Sequence, residues 1–266
     1  MFSQNLLQGR TAFVAGGTSG INRGIAAALA KAGASIAVMS RNPEKVEDTV
    51  GFLSGFRENA TVLGFPGDVR DYDSVRDALG KTSDEFGPLD VVVSGAAGLF
   101  IAPAGKMSAN AFKTVVDIDL LGTFNVLRAA YELCRKPGAS FINISAPQAT
   151  EPYWGQAHAC AAKAGVNMLT KALAYEWGAI GIRVNAIVPG PIEGTEGLRK
   201  FSAVPELNKV LLDSVPNGHF GTVDDISNMA LYLASDAAAY INGEIIRVDG
   251  GQALSGGMKI DPEWLG

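Results

Sequence analysis

Cysteine and histidine are scarce: the 266 residues hold two of each, Cys134 and Cys160, His158 and His219. They show no metal-ligand spacing, which excludes a metal centre from the reading, and the cysteines are expected to be small buried hydrophobes. Long apolar runs are missing too. No uninterrupted stretch would span a bilayer, and Met1 to Arg10 lack the pattern of a secretory signal. Positive charge is nowhere concentrated: the net charge is −5 and lysine and arginine are scattered, which argues against a nucleic-acid surface. No repeat or low-complexity segment interrupts the chain. A soluble, cytoplasmic protein that binds neither nucleic acid nor membrane is the expectation.

Glycine and short apolar runs are plentiful instead, with 32 glycines and 47% hydrophobic residues, enough for a large core in one domain. Runs of strand length near 11–15, 35–39, 61–65, 91–94, 140–144, 183–187 and 244–248 alternate with longer helical patterns. That alternation predicts an α/β fold, a doubly wound, seven-stranded parallel sheet with helices on both faces, in a single domain over residues 1–266. Asn42 before Pro43 reads as a helix start, and Thr222 with Asp225 as a capping box. Residues 95–106 and 189–216 are irregular, and each follows a strand where such sheets bind ligands. The second segment reads as a substrate lid over about 192–215, helical in its middle; a passive surface insertion is the equal alternative.

The first strand meets a glycine-dense turn and then a helix. Gly16, Gly17 and Gly20 let the backbone turn sharply beside a ligand, while Thr18, Ser19 and the first helical N–H groups can receive a pyrophosphate. After the second strand stands Ser40-Arg41, with no carboxylate to hold a ribose 2′-hydroxyl. A hydroxyl followed by a guanidinium suits a 2′-phosphate, so NADP(H) is the expected cofactor.

Gly16 and Gly20, Asp68 and Val69, Ser94 through Gly98, Lys163, Pro189-Gly190 and Asp249-Gly-Gly resemble, in order and spacing, the short-chain dehydrogenases/reductases over almost the whole chain. The resemblance implies a Rossmann fold, Asp68 at the adenine, Lys163 on the nicotinamide ribose and the backbone of Pro189, Gly190 and Ile192 beside the nicotinamide. Ile21, Val69 and Gly95 complete the cofactor residues so implied. Asn22 stands where that family usually has a third glycine.

The catalytic pattern departs further. A tyrosine usually stands four residues before the lysine; here it is Ala159. The usual serine is Ala146, and the usual helical asparagine is Asp119. Alcohol–ketone interconversion needs a proton donor at the oxygen, so this set supports it poorly. Two explanations stand: a scaffold that keeps the dinucleotide with little catalysis, or a reductase whose substrate needs less help at its oxygen. Reduction of another activated alkene or carbonyl is a variant of the second.

Residues 97–105, 110–119, 122–125 and 189–199 resemble the 2,4-dienoyl-CoA reductases, particularly the peroxisomal type, which also lacks the tyrosine. This resemblance implies an acyl-CoA substrate and acidic residues in a proton relay, carried here by Asp119 and Asp249, while resemblance to the short-chain family implies a homotetramer. The mitochondrial type has a tyrosine fifteen residues before the lysine, where this chain has Gln148. A structural ion pair for Asp119 and a structural turn for Asp249 are the alternatives. His158, beside the vacant tyrosine position, can donate to an oxyanion or simply face a neighbouring helix. Tyr153 and Trp154 are candidates for an acyl slot or for capping the core, and Arg199 and Lys200 for the phosphates of coenzyme A. The C-terminal residues 262–266 are not a peroxisomal address.

Overall fold

The computed structural model describes residues 2–56, 61–202 and 205–255. Seven strands, β1 (Thr11–Ala15), β2 (Ser35–Ser40), β3 (Val62–Pro66), β4 (Val91–Ser94), β5 (Ser140–Ile144), β6 (Arg183–Pro189) and β7 (Ile245–Val248), form one parallel sheet in the order β3-β2-β1-β4-β5-β6-β7. The order reverses between β1 and β4, where Ala15 lies beside Met39 on one side and Ser94 on the other. That reversal opens the ligand crevice at the strands' carboxyl ends.

Helices α1 (Gly20–Lys31), α2 (Pro43–Ser54) and α9 (Val223–Ala234) cover one face. The other carries α3 (Tyr72–Phe86), α5 (Gly122–Tyr131) and α6 (Ala157–Trp177). Strand β1 is buried throughout because its alternate residues feed two cores. Ala12 and Val14 pack with Leu29 and Ile226, whereas Phe13 and Ala15 pack with Leu79 and Val126. A strand covered on both faces reads as an uninterrupted apolar run, which is why periodicity located β1, β4 and β5 closely.

Strand β6 runs beyond the expected residue 187 to Pro189, since β7 pairs there with Val188 beside Arg247 and Pro189 beside Val248. The cap of α2 is as expected, Asn42 Oδ1 accepting from the N–H of Lys45 at 2.9 Å, and the Thr222–Asp225 capping box opens α9. Helix α4 (Ala109–Val116) passes into α5 through a wide turn, Asp117–Leu121, with five-residue hydrogen bonding. Such turns re-aim side chains, here that of Asp119. Two helices, α7 (Glu196–Ser202) and α8 (Pro205–Asp213), stand in the segment expected to form the lid. No helix among the described residues is long and apolar enough to cross a membrane.

Candidate active site

The glycine turn is shaped for close backbone approach. Gly16 has φ +76°, and a Cβ there would lie 2.8 Å from the backbone of Ala96. Its N–H donates to the carbonyl of Met39 at 2.8 Å, pinning the turn to β2. Ser19 caps α1 in an extended conformation and makes no capping bond, so the first-turn N–H groups of α1 are left for an anion. Beside them runs a groove of about 390 Å³ lined by Gly16, Thr18, Ser19, Ser40, Arg41, Asp68, Val69 and Gly95.

Asp68 is clamped by Arg70, whose Nε lies 3.0 Å from Oδ1 and whose Nη2 lies 2.6 Å from Oδ2. That guanidinium, with the more distant Arg41, holds the Asp68 carboxyl below its ordinary value despite partial burial. Lys45 also lines the groove, held one turn into α2 by the Asn42 cap. Sequence reading missed it; the signal was its place four residues beyond Arg41. A cradle that a Cβ would fill, an open helix N-terminus and a cationic far end fit a nicotinamide dinucleotide.

Asn22, in place of the third glycine, is structural glue. Its Nδ2 donates to the carbonyl oxygen of Gly95 at 2.7 Å. A Cβ on Gly95 would fall 2.2 Å from Asn22 Oδ1, so the asparagine and that glycine require each other. Gly20 and Ile192 take other places. Gly20 borders a neighbouring cleft with Lys45 and Arg199, and Ile192 is buried, bridged to Gly221.

A second cavity, about 310 Å³, adjoins the groove and shares Asn22, Gly95 and Ala97 with it. Ile21, Asp119, Lys163, Pro189 and Gly190 line it. Lys163 reaches in from α6, its Nζ 2.9 Å from the carbonyl of Ile144 and 3.4 Å from Asp119 Oδ2. Asp119 Oδ1 accepts from the N–H of Gly98 at 2.7 Å, and its carbonyl accepts from Thr123 Oγ1, itself bonded by Ser94 Oγ. Asp119 and Lys163 are both buried, and a buried charge persists when paired and hydrogen-bonded as these are.

Ala146 and Ala159, where hydroxyls would usually stand, both line this cavity. Neighbouring Ser145 does not compensate, because its Oγ donates to Asn167 Oδ1 at 2.6 Å.

The other two expected catalytic groups are elsewhere. Asp249 lines a separate cleft of about 340 Å³, which shares only Gly190 with the cavity that holds Asp119 and Lys163. Its carboxylate oxygens accept from the N–H groups of Gly251 and Ala253 at 2.9 and 3.1 Å, the bonding of a turn. His158 is buried, and does not line the cavity; its Nδ1 accepts from the N–H of Ala159 at 2.7 Å, and its ring meets Phe100 edge-on at 4.3 Å. The tyrosine position points one way along the helix and its neighbour another, so adjacency in sequence did not carry His158 into the site.

At the mouth, the N–H of Ala102 donates to the carbonyl of Gly155 at 2.9 Å, joining the loops after β4 and β5. Leu99, Phe100 and Ile101 are partly exposed there, and Trp154 is 78% exposed, so Trp154 does not cap the core. Tyr153 is half-buried, and burial pushes its phenol up from the ordinary value. In α7, Arg199 is exposed; the side chain of Lys200 lies outside the described residues. Cys134 is buried, which drives its thiol up to about 11, whereas Cys160 is only half-buried.

The family model described as enoyl-(acyl carrier protein) reductase matches residues 15–253. A short-chain dehydrogenase from Bacillus anthracis of known structure superposes with a TM-score of 0.86 at 37% identity, over 97% of this chain and all of that one. The chain is a short-chain dehydrogenase/reductase. The peroxisomal 2,4-dienoyl-CoA reductase [(3E)-enoyl-CoA-producing] of Rattus norvegicus is 41% identical over 96% of this chain and 87% of that protein. A Bacillus subtilis protein named "Probable 2,4-dienoyl-CoA reductase [(2E)-enoyl-CoA-producing]" is 38% identical over 94% of this chain and 98% of its own. Membership of this family makes the protein an oxidoreductase that uses a nicotinamide dinucleotide.

Proposed function

We propose that this short-chain reductase reduces a conjugated unsaturated acyl-CoA thioester, a 2,4-dienoyl-CoA, with NADPH. One observation carries the reading: the Lys163–Asp119 pair is intact in a cavity whose hydroxyl positions are Ala146 and Ala159. A ketone needs an acid at its oxygen when hydride arrives. A dienoyl thioester does not, because hydride at the δ carbon sends charge through two double bonds to an oxygen that hydrogen bonds can stabilise. Carbon is protonated afterwards.

The bound nicotinamide supplies the hydride. Lys163 would hold the ribose hydroxyls and place positive charge near the nicotinamide, while Asp119, 3.4 Å from its ammonium, would hold that ammonium in position. A proton relay through Asp119 to solvent completes the proposal. Asp249 serves its turn at Gly251 and Ala253.

Arg41, with Lys45 beside it, is the proposed 2′-phosphate clamp that favours NADPH. Helices α7 and α8 are the proposed lid. The cytoplasm is the proposed location. A homotetramer is proposed from exposed apolar side chains on α4 to α6, among them Phe112, Phe124, Met168 and Tyr175. Sedimentation as a monomer at micromolar concentration would count against it.

The substrate reading is tested by a panel of a trans-2,trans-4-dienoyl-CoA, a saturated ketone and a secondary alcohol. Turnover confined to the thioester is expected. Turnover of the ketone alone would replace the reading with carbonyl reduction, and tight NADPH binding without turnover of any conjugated thioester would favour a non-catalytic dinucleotide-binding protein.

A further inference from the structure

Once the hydroxyl positions are alanines, some other group must meet the substrate oxygen, and the polar side chains of the cavity can be taken in turn. Ser145 donates to Asn167. Asn22 donates one N–H of its Nδ2 to the carbonyl of Gly95, on the wall the cavity shares with the dinucleotide groove and the phosphate turn. The Asp119 carboxylate accepts from Gly98, and Lys163 is engaged by Ile144 and Asp119 and is assigned to the ribose.

Gln148 differs. It lines the cavity, and its Nε2 donates to Gln156 Oε1 at 2.9 Å. Its own Oε1 is shielded from water and takes no hydrogen bond among the described residues. An oxygen sealed from water is out of reach of a substrate oxygen too, so this amide meets the cavity through Nε2. That nitrogen carries two N–H groups, and Gln156 takes only one of them. The second N–H is left to donate to a bound carbonyl oxygen.

We propose that Gln148 is a catalytic residue, the side-chain donor that takes the thioester carbonyl oxygen, with Gln156 as the residue that positions it by accepting its other N–H. The inference rests on the thioester reading above. Hydride arriving at the δ carbon with its electron pair shifts the two π pairs toward the thioester, and the negative charge comes to rest on that oxygen. The Gln148 N–H keeps its proton throughout and donates only a hydrogen bond. The proton that completes the reaction comes from water and goes to carbon.

Three variants test this, each first shown to be folded and to bind NADPH with unchanged affinity. Gln148→Leu is expected to lower single-turnover hydride transfer to a dienoyl-CoA by about 10²-fold, the usual cost of one oxyanion donor. Gln156→Leu leaves the Gln148 donor in place and is expected to cost several-fold less. Gln148→Glu accepts but cannot donate while ionised, so its rate is expected to climb as pH falls through the carboxyl's titration. A purely structural amide pair would give equal losses at 148 and 156 and no such pH rescue, and either result overturns the assignment.

A binding readout separates the two readings. The infrared carbonyl band of a ¹³C-labelled 2-enoyl-CoA should shift to lower frequency on the native protein and less on Gln148→Leu. The same band position on both overturns the role of Gln148 alone. A thioester that is neither reduced nor bound by the native protein overturns the substrate reading and this assignment with it.

Discussion

Asn22 Nδ2 and the carbonyl oxygen of Gly95 lie 2.7 Å apart, so a side chain from the first turn of α1 is fastened to the loop leaving β4. The family's third glycine would leave that contact unmade. The bond binds the phosphate turn to the floor of the catalytic cavity, and both residues line both spaces.

Gly95→Ala should therefore act through Asn22. The new Cβ would fall 2.2 Å from Asn22 Oδ1, forcing the amide out of place. A loss of about 1–3 kcal/mol in denaturant unfolding is expected, together with weaker NADPH binding. Adding Asn22→Gly should restore much of it, since the obstructing side chain is gone. Losses that simply add in the double variant would contradict the coupling.

Breaking the ion pair separates chemistry from architecture. Asp119→Asn keeps the shape of the side chain but leaves Lys163 beside a neutral amide. Turnover should fall by about 10²-fold or more while NADPH binding survives. His158→Ala, which empties a buried site outside the cavity, should instead lower the melting temperature and leave kcat nearly unchanged. A large kcat loss in a stable His158 variant would restore the histidine to the mechanism.

Arg41→Asp should weaken NADPH binding by about 10²-fold and leave NADH binding little changed, because the new carboxylate repels a 2′-phosphate and accepts from a 2′-hydroxyl. Lys45→Ala should show a smaller loss of the same selectivity. Calorimetric titration with both cofactors decides it, and equal losses for the two would sink the assignment.

Neutralising Arg199 and Lys200 together should raise the KM for CoA thioesters roughly fivefold, the scale of exposed charge contacts, and spare short thioesters without the nucleotide. No selective rise would make them ordinary surface.

The sheet was legible because burial on both faces left unbroken apolar runs at β1, β4 and β5, and the caps at Asn42 and Thr222 are local patterns that need no partner far away. The extension of β6 to Pro189 was not legible, because it depends on pairing with β7 across a long sequence gap. The cofactor groove could be read from residues that end strands. The catalytic cavity could not be read in full. The family resemblance pointed to Asp249, whose oxygens the local turn consumes, and adjacency pointed to His158, which the helix turns away. The Gln148–Gln156 amide pair joins an irregular loop to the residue before α6, a contact with no periodic signature. Asn22 was visible only as a departure, since its partner lies 73 residues on.

The most direct measurement follows the hydride itself. NADPH carrying deuterium in the transferable position is incubated with the protein and a trans-2,trans-4-dienoyl-CoA, and the product is analysed by NMR and mass spectrometry. The account predicts one deuterium, at the δ carbon, in an enoyl-CoA whose thioester carbonyl is untouched; the position of the remaining double bond separates the (3E) and (2E) outcomes named for the relatives. Deuterium at the carbonyl carbon, or none transferred by folded, NADPH-bound protein, would contradict it.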